Sequence, residues 1–385
     1  MSSPFAKSRS VFAQVAALSF SANQEQDCID FLARRSSNTE LVPISDEEQL
    51  TLNVNGMLAE TGYRFNFLGF KSVCDVLAGG LLRLFNEISG ETPSRAFSED
   101  AFNIPVAINI YNQALRVKFE TLRERSLLID HQSRSVDGVL GLNYKMLDNS
   151  VFLEMIRSEK DARCPQAIFH RAELVGRELK VYILDPASRR TDVYPNPAHV
   201  FATGWYFCNR EDAGNSMRAV PCVYTRFGVG LQAENKKQNR LVHVGPDIAG
   251  KATRLISDVF KQVVDTDDIK LRVTALTDFK LGFTDNSIKN SAVVKKWTTY
   301  LNGLGIPRDA GNQIVKNALT VGSDIEPRNP LDIFTKKVMV ERNCYDLACS
   351  ILRFAKDQPT HFRERCQSAG LSLLVAKPEK SSRSV

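Results

Sequence analysis

The chain has 385 residues, 43% hydrophobic and 24% charged, a composition that excludes a wholly disordered or fibrous protein. No run approaches the roughly 18 apolar residues of a spanning helix, and eight cysteines without a CxxC pair point to a reduced, cytoplasmic compartment. The net charge of +6 is uneven, with 13 Lys and Arg against 16 Asp and Glu over residues 1–135, 15 against 13 over 136–250, and 22 against 15 over 251–385. A basic C-terminal third suits a polyanionic partner, because cations on phosphates release counterions, and it equally suits a solubilising surface.

In chain order, residues 1–10 carry no ordering pattern. The apolar run that follows is interrupted by Gln14 and Ser19, so it reads as an amphipathic helix and not as a signal peptide. Short helices are expected around Phe12, Val15, Leu18, Ile29 and Phe31, then a linker with a turn at Pro43. Tyr63, Phe65 and Phe67 alternate with Arg64 and Asn66, as a strand would; that period serves a base-stacking platform or, more commonly, a core face. Val73 to Ile88 has helical apolar spacing, and Gly79-Gly80 within it lacks the pattern of a phosphate loop. A charged helix is expected over Leu115 to Leu128, with Arg116 and Glu120 at i,i+4 on a solvated face.

From Arg134 the pattern turns to β. A strand is expected over Val139 to Leu147, a helix over Val151 to Ser158, and a hairpin pairing Ala167 to Leu174 with Leu179 to Leu184 around Gly176. Prolines 186, 195 and 197 mark a long loop. Phe201, Trp205, Tyr206 and Phe207 then form an aromatic strand ending at Asn209, and Asp212, Gly214, Asn215 and Ser216 supply a turn. The return strand runs from about Val220 to Val229, with Pro221 near its start suggesting an edge or strand-entry position. A charged turn over Glu234 to Arg240 precedes a short strand, Leu241 to Val244.

Gly141-Leu-Asn-Tyr144, the Ala172 to Gly176 hairpin with Val181, Gly204 with Asn209 and Gly214, Arg226, and the run Arg240 to Gly245 containing His243 together resemble a phage/plasmid-like protein family with a domain of unknown function. The resemblance covers roughly residues 136–260 and rests on scattered short motifs. Such proteins tend to have a Cys and an Asn shortly after the arginine, where this chain has Arg226-Phe-Gly-Val-Gly230. The resemblance implies a mobile-element, viral origin and a place in DNA metabolism. A more remote similarity is to single-strand annealing proteins.

The C-terminal third reads as helical. Pro246 to Val264 shows an apolar face, Ile269 to Phe283 is ambiguous, and residues 289–319 carry Lys289, Lys295, Lys296, Arg308 and Lys316 around Trp297 and Tyr300 with one acid, Asp309. Two helices joined by LGIPRDAG suit a small helix-turn-helix, and more commonly a helical hairpin with its Trp inward. Terminal helices are expected over Phe334 to Phe354 and Pro359 to Leu374, followed by a basic tail.

Enzyme signatures are sparse. Five histidines stand without HExxH, and there is no GxSxG. Cys164 with His170, and Cys208 with Cys222, lack compact zinc spacing; Asp265, Asp267 and Asp268 lack the other ligands of a calcium loop. Asp137, Asp148 and Asp185 are the acids available to a metal-dependent nuclease.

The expected protein is α+β, a central antiparallel sheet with hairpins flanked by helices. It divides into a mainly helical region 1–135, a β-rich core 136–250, a helical region 251–376 and a disordered tail 377–385. The leading expectation is single-stranded DNA binding in replication, strand annealing or transcription on unwound template, in the host cytoplasm. It includes no catalytic residue, cofactor, metal or membrane contact. Lys145, Arg226, Lys236, Lys237, Arg240, His243, Lys295 and Lys296 would meet phosphates, and exposed members of Trp205, Tyr206 and Tyr224 would stack on bases or instead be core. A phage polymerase, another replication protein or a second copy of the chain is a candidate partner. The alternatives are a metal-dependent nuclease and a structural or host-interaction protein.

Overall fold

The computed structural model describes residues 18–78, 80–88, 104–190, 201–212, 216–225, 228–231, 239–262, 291–325, 344–358 and 360–375. Arg226, Lys236, Lys237, the 265–268 acids and the 377–385 tail lie outside them.

The larger of two sheets holds β1 (Leu18–Ser21), β6 (Ile168–Val175), β7 (Glu178–Arg190), β8 (Phe201–Arg210), β9 (Met217–Thr225) and β10 (Gly228–Leu231) in the order β1-β6-β7-β8-β9-β10. All pairings are antiparallel, and β11 (Arg240–Leu241) joins β9. The expected hairpin turns at Gly176, whose φ of 60° is readily adopted by glycine. β9 is not the edge strand that Pro221 suggested: β11 pairs with Met217 and Arg218, β10 with Cys222 to Thr225, and the proline falls in the gap between them.

Alternation along β7 and β8 divides the sheet's two faces. Val181, Ile183, Trp205 and Phe207 pack with Phe152 and Ile156 of α5 (Asn149–Arg163), Ile256 and Phe260 of α6 (Ile248–Phe260), and Leu32 of α1 (Glu25–Ser37). Tyr182, Tyr206, Cys208 and Tyr224 form the opposite face. The C-terminal helices α7 (Ser291–Gly303), α8 (Arg308–Ile325), α9 (Cys344–Ala355) and α10 (Thr360–Val375) build a further core that includes Phe201 and Val223 of the sheet. A strand covered on both faces buries every side chain whichever way it points, so the aromatic strand is buried from Phe201 to Asn209.

The region expected to be mainly helical contains a second sheet, β2 (Thr39–Pro43), β4 (Arg125–Asp130), β5 (Ser135–Gly141) and β3 (Arg64–Phe65), ordered β2-β4-β5-β3. The boundary placed at 135/136 cuts its β4–β5 hairpin. The aromatic run makes only the two residues of β3. Asn66 then caps α2 (Phe67–Leu77), its side chain accepting from Gly69 N at 2.8 Å, and Phe65 is core as periodicity favoured. The helix expected to Ile88 is broken after Ala78 into α2 and α3 (Leu81–Ile88). The one expected to Leu128 ends as α4 (Pro105–Lys118), because the chain from Arg125 is recruited as β4.

Arg177, in the β6–β7 turn, locks the two sheets together. It is 2% exposed, donates from Nε to Asp137 at 2.5 Å and from Nη1 to Thr39 at 2.8 Å, and pairs with Asp130 and Glu211 at 3.2 Å each. Arg35 adds a second cation, donating to Gly176 O at 2.6 Å and lying 3.8 Å from Asp130. Removing one partner from such a cluster leaves desolvated charge behind. Arg177→Met is therefore expected to cost about 3–5 kcal/mol in urea unfolding; a loss under 1 kcal/mol would refute the lock.

Candidate anion-binding cleft

A cleft of about 620 Å³ lies between the C-terminal helices and the β6–β10 face of the large sheet. Two irregular strands shape it. In β6 the register slips between Phe169 and Arg171, so His170 is the extra residue of a bulge, and consecutive side chains that would normally diverge both line the cleft. In β7 a second slip lies between Asp185 and Arg190, where the chain leaves the ladder. Ser188 secures that excursion, donating to Asp185 O at 2.6 Å and accepting from Thr203 N at 2.7 Å, and Arg189 beside it reaches the cleft. Lys356, Arg363 and Gln367 arrive from α10 and the turn before it.

Among the described residues the lining holds Arg171, Arg189, Lys356, Arg363 and His170 and no carboxylate. Glu173, behind it, pairs with Arg363 at 2.8 Å and Arg171 at 3.4 Å. Arg171 also sits over the Tyr182 ring, 4.3 Å from its centroid. Arg189 is exposed and has no ion pair among the described residues. The positive field registers on two titrating groups. Lys356 is held below its ordinary range by partial burial and then by Arg171 and Arg353, and His170 is lowered by burial and then by Arg171. Deeper in, Leu352, Ala355, Phe201 and Val229 are apolar, and the Tyr224 ring meets His170 edge-on at 5.0 Å. The site can hold an anion at its cationic mouth and an apolar body behind it.

Glu364 anchors α10 over this face. Its carboxylate accepts from Lys180 of β7 and Arg218 of β9, and from the Tyr206 hydroxyl of β8 at 2.7 Å. Burial alone would raise the acid, but the Lys180 and Arg218 charges with the Lys180 and Tyr206 hydrogen bonds outweigh it and hold it at about 2. Glu178, Cys208 and Glu364 bring three potential metal ligands within 4.8 Å of one another, yet the Lys180 ammonium already pairs with both carboxylates.

The sequence-derived candidates scatter. Trp205, Tyr206 and Tyr224 are 4%, 1% and 8% exposed and offer no face to a base; Trp205 packs on Phe260 at 5.0 Å, and the Tyr224 hydroxyl donates to Ile183 O at 3.0 Å. His243 is 1% exposed, and burial lowers it to about 4, so it is a neutral imidazole donating from Nε2 to Asn209 Oδ1 at 2.8 Å and not a phosphate donor. Lys145 and Arg240 are exposed at the β11 end, where Lys145 N donates to His243 O at 2.8 Å and Arg240 bonds Ser216. Lys295 and Lys296 are exposed on α7. Asp137 is spent on Arg177, and Asp148 caps α5; Asp185 lies seven residues beyond Glu178 along β7, roughly 20 Å of strand. The three do not form a metal site. Cys208 and Cys222 are offset by four residues in the β8–β9 register, and Cys164 and His170 belong to no group of three potential ligands among the described residues.

Sequence reading missed Arg171, Arg189, Lys356, Arg363 and Gln367. The only local sign was paired charge, Arg189-Arg190 after a proline and Arg363 with Arg365 in the last helix. Comparison with protein-family models, curated proteins and solved structures found no match.

Because Glu364 titrates below its ordinary 4.5, the unfolded chain takes up the proton first as pH falls. The stability this group contributes is complete above pH 4.5 and is lost by about pH 2, a loss of about 3 kcal/mol. Thermal melts across that window should show Glu364→Gln less stable at pH 7 and less sensitive to acid than the parent; parallel curves would contradict the anchoring role.

Proposed function

We propose that the protein binds single-stranded nucleic acid, seating backbone phosphate in the cationic cleft. The observation that carries this reading is a concave surface whose described lining has four Lys and Arg side chains and no carboxylate. Phosphate neutralisation by such a set releases counterions and supplies sequence-independent affinity. With Trp205 and Tyr206 in the core, the stacking role passes to α7, where Tyr300 is 43% exposed and meets Trp297 edge-on at 5.7 Å beside Lys295 and Lys296. Lys145 and Arg240 are further phosphate contacts. The resemblance of residues 136–260 to phage/plasmid-like proteins favours DNA and a role in replication, strand annealing or transcription in a host cytoplasm. A polymerase or a second copy of the chain would act beside it.

Fluorescence anisotropy of a labelled single-stranded oligonucleotide over a salt series tests the reading. Binding should weaken linearly in log–log form, and Arg189→Ala and Lys356→Ala should each lower the slope by about 0.7. Absence of binding at low salt, or slopes unchanged in both variants, would overturn it.

A further inference from the structure

The deep end of the cleft holds a side chain that the phosphate reading leaves unused. Gln367 is 3% exposed, it lines the cleft, and its amide oxygen has no hydrogen-bond partner. Arg171 Nε, at the same wall, is also buried and unpaired. Buried polar atoms are rarely left so, and each costs free energy until a partner arrives. Around them stand Leu352, Val229 and Phe201, all buried, whereas Arg189 and Lys356 are exposed.

Resting on the single-strand reading above, we propose that the cleft is a nucleotide subsite that reads a base. The phosphate lies on Arg189 and Lys356, and the base enters between the apolar walls with its edge on Gln367. A carboxamide offers an oxygen acceptor and two N–H donors, the complement of the amide-like edges of nucleobases. An acyl tail would fill the apolar space and leave both orphan atoms unpaired, and inorganic phosphate would not reach them. Arg363 and Gln367 stand at i,i+4 on α10 and both line the cleft, while Glu364, about 100° round the helix from Arg363, holds the helix to the sheet. The cleft lies within the roughly 300–1,000 Å³ of small-ligand sites. Since Oε1 is closed to solvent, the amide turns about its terminal torsion to meet the base, a soft rotation for an sp³–sp² bond.

The test is displacement of a labelled single-stranded oligonucleotide from the full chain by the four nucleoside 5′-monophosphates, by ribose 5-phosphate and by inorganic phosphate. The monophosphates should differ from one another, with the best about tenfold stronger than ribose 5-phosphate, the worth of one well-placed hydrogen bond to a buried group. Gln367→Met should bring all four within about twofold of one another and leave ribose 5-phosphate unchanged. Because it removes an unpaired amide, this variant should melt no lower than the parent. Equal competition by all six compounds, or an undiminished spread in Gln367→Met, overturns the base subsite while the phosphate reading stands. If the oligonucleotide does not bind at all, both readings fall together.

Discussion

One buried carboxylate sets the geometry on which the cleft depends. Glu364 draws β7, β8 and β9 toward a single turn of α10 through Lys180, Tyr206 and Arg218, and the neighbouring Arg363 ties the same turn to β6 through Glu173. Four adjacent strands thus share one helical turn. Hydrophobic packing alone would press α10 against the sheet without fixing its rotation, since apolar contact is non-directional. Hydrogen-bonded charge fixes it, because a carboxylate buried away from its three donors is far costlier than one that meets them.

Irregularity in the strands does the rest. A regular β6 would send His170 and Arg171 to opposite faces, and a regular β7 would keep Arg189 in the ladder. The bulge and the excursion each gather positive charge onto a face that otherwise carries tyrosines and cysteines. Self-repulsion among these cations is limited by Glu173, which serves two of them at once. The Arg177 cluster works differently: three acids surround two arginines between the sheets, and Glu211, raised by burial and lowered by Arg177, also holds the backbone of Asn149 at the start of α5. The first arrangement leaves cationic groups at an open cleft; the second is closed upon itself.

Much of the large sheet was legible in the residues. Turn chemistry around Gly176 placed the hairpin, and alternation in Phe201 to Asn209 placed β8, with Trp205 and Phe207 on one face and Tyr206 and Cys208 on the other. Alternation could not tell which face of β8 meets water, and here neither does, so of the two readings left open for Trp205, Tyr206 and Tyr224 the core one holds. The second sheet was hidden because β3 has two residues and β4 follows directly on a charged helical pattern. Antiparallel pairing with β2 and β5 overrides that local preference. The cleft was illegible for a different reason. Its cations come from residues 171, 189, 356 and 363, and nothing local marks Gln367 as a glutamine without a partner.

Lys180 and Glu364 are 184 positions apart in the chain. Vectorial synthesis therefore delivers the strands of the sheet well before α10. The uncovered face in that interval carries Glu178, Lys180, Arg171 and Arg218 among its tyrosines. The ionic patch that anchors the helix is thus assembled from the two ends of the chain's order, its cations laid down with the sheet and its carboxylate with the last helix.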